Sequence, residues 1–307
     1  MTLLTPEQVL TLIQTGRSLQ NEELSYLAIP NADIPGANFE RAYLRHANLS
    51  NIHCPGGNFQ NATLIHANLT QANLQEAQLT GAKMNVALLT DAQLQGVFAR
   101  GTRFHGTQLD RTNLSQALLQ QSDFGECQGR QTCFKAANLQ GADLCLARFP
   151  DSVWAEAILT EARLNGTEMM GAELTAAVLQ RSQFIEANLS GADLSYADAV
   201  AASFDKASLR NALLFNASFD HSSLQQTDLQ GANLTQTSFY GAQLEGADLR
   251  GATLDGTDFR EAVLELANLS GVDFSTCQVE GAVFSDVQGL DAKQRSQLFQ
   301  RGALNLT

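Results

Sequence analysis

Residues 227–249 read TDLQGANLTQTSFYGAQLEGADL, and a large apolar residue recurs in this stretch at every fifth position. The same register runs from Ile34 to Phe284 without an insertion or deletion, across 51 positions whose numbers end in 4 or 9. Leu fills 29 of these positions and Phe fills 13, while Ala dominates two residues earlier. A motif A-(D/N)-L-x-x that keeps its register over about 255 residues indicates that a repeat determines the fold.

A period of five fits neither a helix of 3.6 residues per turn nor a strand of period two. It suits a solenoid in which each pentapeptide forms one side, with the large residue and the small one two before it pointing inward. Four sides make a turn of 20 residues, so inward residues 20 apart are predicted to stack. Aromatic centres at this spacing are Phe39/Phe59, Phe104/Phe124, Phe134/Trp154, Phe184/Phe204, Phe219/Phe239 and Phe239/Phe259. We place the single Trp of the chain, Trp154, in the core.

The motif, seen in Ala47-Asn48-Leu49 and Ala247-Asp248-Leu249, resembles that of the pentapeptide-repeat proteins, which are numerous in cyanobacteria. The resemblance implies an all-β fold, a right-handed quadrilateral (four-sided) parallel β-helix of about 13 coils, with short helical caps at both ends. Because members share a scaffold rather than a site, the resemblance implies nothing specific about function.

We predict three segments: a capping helix within residues 1–22, the β-helix over 23–288, and a cap helix with a tail over 289–307. Thr5-Pro6-Glu7-Gln8 has the pattern of an N-cap, a Pro at the first helical position and a capping box. At the other end, Asp291 to Arg301 is a predicted helix, with Leu298 and Phe299 available to plug the last coil.

Nineteen basic and 32 acidic residues give a formal charge of −13, which disfavours direct binding to nucleic acid. Residues 1–153 carry 10 Lys/Arg and 12 Asp/Glu, whereas 154–307 carry 9 and 20, so the acidity belongs to the second half. We find no signal peptide and no apolar run long enough to cross a membrane. Five cysteines without C-x-x-C spacing are typical of reduced thiols in a cytoplasmic protein.

Three centre positions lack a large side chain, namely Ala99, Gly129 and Ala199. Each leaves the core underfilled unless a neighbour compensates. Phe98, at an outward position beside Ala99, has two interpretations. It either swings inward to fill the space or begins an exposed column.

The exposed-column interpretation rests on four apolar residues at outward positions separated by multiples of 20. They are Phe98, Leu118, Ile158 and Val178, with Asn138 as the interruption, and Val153 and Val200 would widen the stripe. An exposed apolar stripe of this kind often marks a partner site. Separately, Pro150-Asp151 is predicted to distort one corner of the coil.

The sequence offers no setting for catalysis. His46 and His66 occupy the same outward position one coil apart and are predicted to stack about 5 Å apart. Even with His53 nearby, they lack the further ligands that zinc requires. The carboxylates Asp205, Glu245 and Glu265 share an outward column on a solvated face. We therefore expect no enzyme, no cofactor and no metal.

The leading hypothesis is a cytoplasmic protein-interaction scaffold, a monomer in preference to a homodimer, that docks an unidentified protein partner on the stripe. The family resemblance implies an alternative, an acidic DNA mimic that binds a type II topoisomerase (gyrase), which the acidic second half supports. A purely structural role without a ligand is a third hypothesis.

Overall fold

A computed structural model describes residues 4–306, which form two compact units, residues 4–157 and 158–306. Each unit is described by itself. The regular helices among the described residues are α1 (Pro6–Gln14) and α2 (Ala292–Gln300). In place of long strands, most pentapeptides contribute one bridged residue, and residue i pairs in parallel with residue i+20, except for the pair Val283–Leu304. Four pentapeptides therefore complete one turn in each unit, while the handedness and the number of coils stay predictions.

Backbone hydrogen bonds between successive coils explain why the repeat has five residues. Around Phe39, its N–H donates to the carbonyl of Asn58 (2.7 Å), and Arg41 N–H donates to Gln60 (2.8 Å). Ala42 N–H closes a β-turn onto Phe39 O (3.0 Å). Tyr43 N–H donates back to Glu22 O on the preceding coil (2.9 Å), and the last of the five N–H groups, that of Glu40, donates to the side-chain Oδ1 of Asn38 (3.0 Å). The Asp or Asn of the motif thus satisfies a backbone donor that the ladder between coils leaves out.

The turn between sides requires a positive φ at residues whose numbers end in 1 or 6. Gly241 has a φ of 64°, which glycine adopts without strain, and Asn51 has a φ of 57°. A positive φ at the third residue is the signature of a type II turn, whose second residue accepts Pro. Pro150 occupies that second position, and its carbonyl accepts the N–H of Gln131 as in any other coil (3.1 Å). The predicted distortion at Pro150-Asp151 is therefore wrong.

The core of each unit consists of the centre residues and the small residues two before them. Where Ala is replaced by Thr or Ser, the hydroxyl donates to a backbone carbonyl, as from Thr102 Oγ1 to Leu79 O (2.7 Å). No buried side-chain N or O atom within residues 4–306 lacks a hydrogen-bond partner. Polar residues in the small position therefore carry no desolvation penalty.

Five of the six predicted aromatic stacks are confirmed, whereas the neighbouring rings of Phe219 and Phe239 are tilted by 31°. Ring centroids lie 5.0 Å apart for Phe39–Phe59, 4.6 Å for Phe104–Phe124, 4.0 Å for Phe134–Trp154, 4.7 Å for Phe184–Phe204, 5.5 Å for Phe219–Phe239 and 5.4 Å for Phe239–Phe259. Trp154 is fully buried, as predicted, and its indole N–H donates to Ser152 Oγ (2.6 Å).

Two of the three centre positions that lack a large side chain differ in how the space beside them is used. A Cβ atom at Gly129 would meet Thr132 Oγ1 most closely and would lie 2.8 Å from the ring of Phe149, so these two side chains occupy the space that a larger side chain would need. Phe98 remains 41% exposed while Ala99 is fully buried. The inward interpretation of Phe98 is therefore wrong, because the phenyl ring stays on the outer face.

Both predicted caps are present. Thr5 and Gln8 form the predicted capping box of α1, and Val9 is buried. Helix α2 has an equivalent box between Asp291 and Gln294 that sequence reasoning missed.

At the C-terminal end, Leu298 is buried as predicted, but Phe299 is 70% exposed and plugs nothing. The carbonyls at this end are capped by Arg301, whose guanidinium donates to Phe274 O (2.7 Å) and to Cys277 O. A cation, rather than a second apolar side chain, completes the cap.

Because the Phe149 ring lies beside Gly129, we predict that a substitution toward the repeat consensus at this position destabilises the protein. Replacing Gly129 with Ala moves the residue toward the consensus, yet it should lower the free energy of unfolding by about 1–3 kcal/mol because the Cβ overpacks the core. In a Phe149→Leu background the added cost should shrink. Urea unfolding followed by Trp154 fluorescence gives the double-mutant cycle. Equal costs in both backgrounds would contradict the proposed compensation.

The C-terminal cap generates a second prediction. Replacing Arg301 with Met removes both carbonyl contacts, and we expect faster amide hydrogen exchange around residues 272–277, equivalent to about 1–3 kcal/mol of local opening free energy. Phe299→Ala is the control, and its effect should stay within about 0.5 kcal/mol because the side chain is exposed. A larger effect of the Phe299 variant would refute this description of the cap.

Candidate partner-binding surface

Two of the four predicted stripe residues form an exposed apolar pair in the unit of residues 4–157. Phe98 and Leu118 are bridged neighbours on adjacent coils and are 41% and 39% exposed. Gln78 precedes Phe98 in the same column and Asn138 follows Leu118. We call Phe98 and Leu118 the Phe98 pair; amide side chains bound it at both ends.

The other two stripe residues form a pair in the unit of residues 158–306. Ile158 is bridged to Val178; it is 37% exposed, and Val178 is half-buried. The next residue in the column is Asp198, whose carboxylate accepts a hydrogen bond from Gln180 (2.6 Å). One continuous stripe of four residues stays a prediction, as does its widening by Val153 and Val200.

Sequence reasoning missed an aromatic column in the unit of residues 4–157. His46 and His66 stack as predicted, with ring centroids 4.9 Å apart, and Tyr26 extends the stack at 5.1 Å from His46. The next residue in this column, Val86, is 46% exposed. The signal that would have found the column is the same spacing of 20 that identified the core stacks, applied to outward positions.

The histidines do not assemble a metal site. His53 lies apart from the stack and contacts the amide of Asn73 through Nδ1 (3.3 Å). Within the described range, 4–306, no group of three or more His, Cys, Asp or Glu side chains has a geometry that would hold a metal ion. Parallel stacked imidazoles present their ring edges to solvent and do not converge on a common point.

Within the carboxylate column, Asp205 has a structural role. Asp205 Oδ1 accepts the N–H of Gln225 on the next coil (3.0 Å) and the hydroxyl of Ser223 (2.5 Å). It thereby supplies the bond that an Asn or Asp would supply in a regular repeat. Glu265 is half-buried and Glu245 is exposed. These carboxylates lack the desolvated setting that acid–base catalysis requires.

All five cysteines are free thiols. Burial raises the pKa of the Cys54 thiol to about 12, and burial likewise raises the pKa of Cys127 and of Cys277 to about 12. Cys133 and Cys145 are half-buried at outward positions. At neutral pH the three buried thiols are therefore inert packing groups.

Eight segments of the chain, from residues 31–52 to residues 247–286, match the family described as Pentapeptide repeats. The chain belongs to the pentapeptide repeat family. Members of this family fold as quadrilateral β-helices, in agreement with the 20-residue pairing of coils. No helix within residues 4–306 has the length and apolar character needed to cross a bilayer.

Solved structures of other pentapeptide repeat proteins are similar to this chain. HetL from the cyanobacterium Nostoc sp. strain PCC 7120, involved in heterocyst differentiation regulation, is 28% identical, with 88% of this chain and 96% of HetL covered and a TM-score of 0.30. QnrB1, a plasmid-mediated fluoroquinolone resistance protein, is 19% identical over 65% of this chain and 96% of its own, with a TM-score of 0.34. None of the curated proteins compared matches the chain.

The pKa values of the thiols lead to a labelling prediction. At pH 8, Ellman's reagent should react quickly with Cys133 and Cys145 only, because a thiol with a pKa of about 12 is almost entirely protonated. The other three should react only after unfolding in denaturant. The variant Cys133→Ser/Cys145→Ser is the control and should show no fast phase. A third fast thiol in the wild-type protein would contradict the burial described above.

Proposed function

We propose that this pentapeptide repeat protein is a non-catalytic, monomeric scaffold of the cytoplasm, a right-handed β-helix of about 13 coils that binds a protein partner through its outer faces. The observation that carries the proposal is the Phe98 pair. It exposes two large apolar side chains at positions where the neighbouring coils have Gln78 and Asn138. Large exposed apolar groups surrounded by polar ones are typical of the centre of a docking site.

Covering the Phe98 pair with a partner protein is energetically favourable. Burying a Phe or Leu side chain contributes about 1.5–3 kcal/mol relative to leaving it in water, so covering the pair supplies a useful share of a binding free energy. The amides of Gln78 and Asn138 would form part of a polar rim. The backbone needs no change for docking, because the coils of Phe98 and Leu118 are already bonded to their neighbours on both sides.

The acidic second half supports the alternative proposal, a DNA mimic that binds a type II topoisomerase such as gyrase. Residues 154–307 carry 20 acidic and 9 basic residues. Part of this charge is compensated locally, since Asp248 and Asp258 each form an ion pair with the Arg two residues on, at 2.7 Å and 2.6 Å. Unimpaired supercoiling by gyrase in an excess of the protein would exclude this alternative.

The experiment for the leading proposal compares proteins captured from a lysate of the source organism by wild type and by Phe98→Arg. Gln78→Arg is the matched control, because it adds the same charge one coil away in the same column. We expect a partner retained by wild type and by the control, and lost at least tenfold with Phe98→Arg. Ile158→Arg tests the second apolar pair in the same assay.

Both arginine variants place the new side chain at an outward position, so circular dichroism and the Tm should match those of wild type. Equal recovery of every protein by Phe98→Arg and Ile158→Arg would reject the assignment of these pairs as the binding surface. Loss with Gln78→Arg as well would point to a general effect of positive charge.

A further inference from the structure

One face of the unit of residues 4–157 is basic, although the protein as a whole is acidic. On this face residues 60–66, 80–86 and 100–106 lie on three successive coils, joined by the bridges Thr63–Lys83 and Lys83–Arg103. These three stretches contain no Asp or Glu, whereas they contain Lys83, Arg100 and Arg103. All three cations are exposed. We call them the Lys83 patch.

The cations of the Lys83 patch differ from others in the same unit in having no counter-ion. Arg111 bonds Asp91 on the adjacent coil (2.6 Å) and Arg130 bonds Asp151 (3.0 Å). Among residues 4–306, no carboxylate lies within 4.0 Å of the charged nitrogens of Lys83, Arg100 or Arg103; this is the distance that defines the ion pairs of this protein. The closest polar contact of Arg100 is the neutral amide of Gln121, at 3.3 Å.

Two features make this arrangement unfavourable for the isolated protein. Lys83 and Arg103 are bridged, so their backbones lie at the inter-strand distance of about 4.8 Å, and like charges directly opposite each other are destabilising. Asp123, the next residue of the column, is engaged elsewhere: it accepts the N–H of Gly125 (2.9 Å) and lies 3.5 Å from the ring of His105. Asp123 is bridged to Arg103 and offsets part of this cost, whereas Lys83 has only Thr63 and Arg103 as its bridged neighbours. A local cost of this kind is characteristic of a functional surface.

The Lys83 patch also adjoins the Phe98 pair. Phe98, Arg100 and Arg103 belong to one coil and are separated only by the corner at Arg100-Gly101. Gly101 has no side chain to cover that corner, and no atom lies within 4 Å of the place that a Cβ atom at Gly101 would occupy. A ligand that crosses the open corner therefore reaches apolar groups on one side and cations on the other.

We propose that the Lys83 patch binds a short acidic segment of the protein partner, an inference that rests on the proposed function and specifies the partner's chemistry. The cations lie on two adjacent coils whose backbones are about 4.8 Å apart, a distance that one or two residues of an extended chain cross. Carboxylates placed there would relieve the repulsion between Lys83 and Arg103. A nucleic acid is the less favoured occupant, because the net charge of −13 repels a long polyanion beyond these few cations.

The test uses fluorescein-labelled peptides of sequence (Gly-Glu)6 and (Gly-Lys)6 and a 12-nucleotide single-stranded DNA, with binding measured by anisotropy at 20 mM salt. The variant Lys83→Gln/Arg103→Gln removes two unpaired cations. Arg111→Gln/Arg130→Gln is the matched control, since it changes the net charge equally but removes cations that already have carboxylate partners. We expect (Gly-Glu)6 to bind wild type and the control within twofold, and the Lys83/Arg103 variant at least fivefold more weakly. Raising the salt to 200 mM should weaken the wild-type interaction.

Several outcomes would overturn the inference: no binding of (Gly-Glu)6 to wild type, equal weakening by both double variants, or equal binding of (Gly-Lys)6. Tighter binding of the DNA than of the peptide through Lys83 and Arg103 would replace the acidic protein segment with a nucleic acid. Lysate capture with Phe98→Arg is independent of these measurements. Loss of a partner there with no peptide binding here would leave the proposed function standing and remove only its acidic specificity.

Discussion

The structure depends on the hydrogen bonds that each coil makes to the coil before it and the coil after it. These bonds go with a turn of positive φ after nearly every side, a conformation that residues other than Gly, Asn and Asp rarely adopt. Even Val86, a β-branched residue, has a φ of 57°. Its N–H donates to His105 O at 2.9 Å, and the same bond recurs at the turns of neighbouring coils. The ladder thus imposes a backbone that local preference opposes, and such strain persists only where surrounding bonds over-determine it.

This constraint explains what the sequence can predict. Because the register cannot shift without breaking the ladder, the period of five and the spacing of 20 suffice to place the core, the aromatic stacks and Trp154. The caps follow from independent helix signals at Thr5 and Asp291. By contrast, the sequence does not predict the exposure of Phe98, the exposure of Phe299 or the capping role of Arg301. Each of these depends on which neighbouring side chain occupies the adjacent space. Phe149 at Gly129 is such a case, because a side chain 20 residues away decides how much room remains.

Because the ladder is made by backbone atoms, the fold places few constraints on the outward side chains. These side chains form columns in which neighbours are 20 residues apart in the sequence. Many columns are used for stability: Asp205 satisfies a backbone donor, and Asp91 pairs with Arg111. The spacing of 20, applied to outward positions, predicts the apolar column and the stack of His46 on His66. Tyr26 as their neighbour and the cationic column were missed, the latter because composition averaged over half the chain conceals a local excess of charge. A column whose side chains bond other groups of this chain has a structural role. A column whose side chains make no such bonds is a candidate for binding another protein.

By that criterion the corner at Arg100-Gly101 is the strongest candidate for a binding surface in the unit of residues 4–157. Apolar groups supply affinity through dehydration, whereas exposed cations mainly accelerate and orient the encounter of the partners. On the two sides of this corner the Phe98 pair and the Lys83 patch offer both contributions within one coil and its neighbours. A rigid backbone holds them at a fixed separation, so a partner has to present an apolar group and carboxylates at a matching distance. Specificity then arises from spacing, which the repeat sets, and not from the shape of a pocket, which the repeat does not provide.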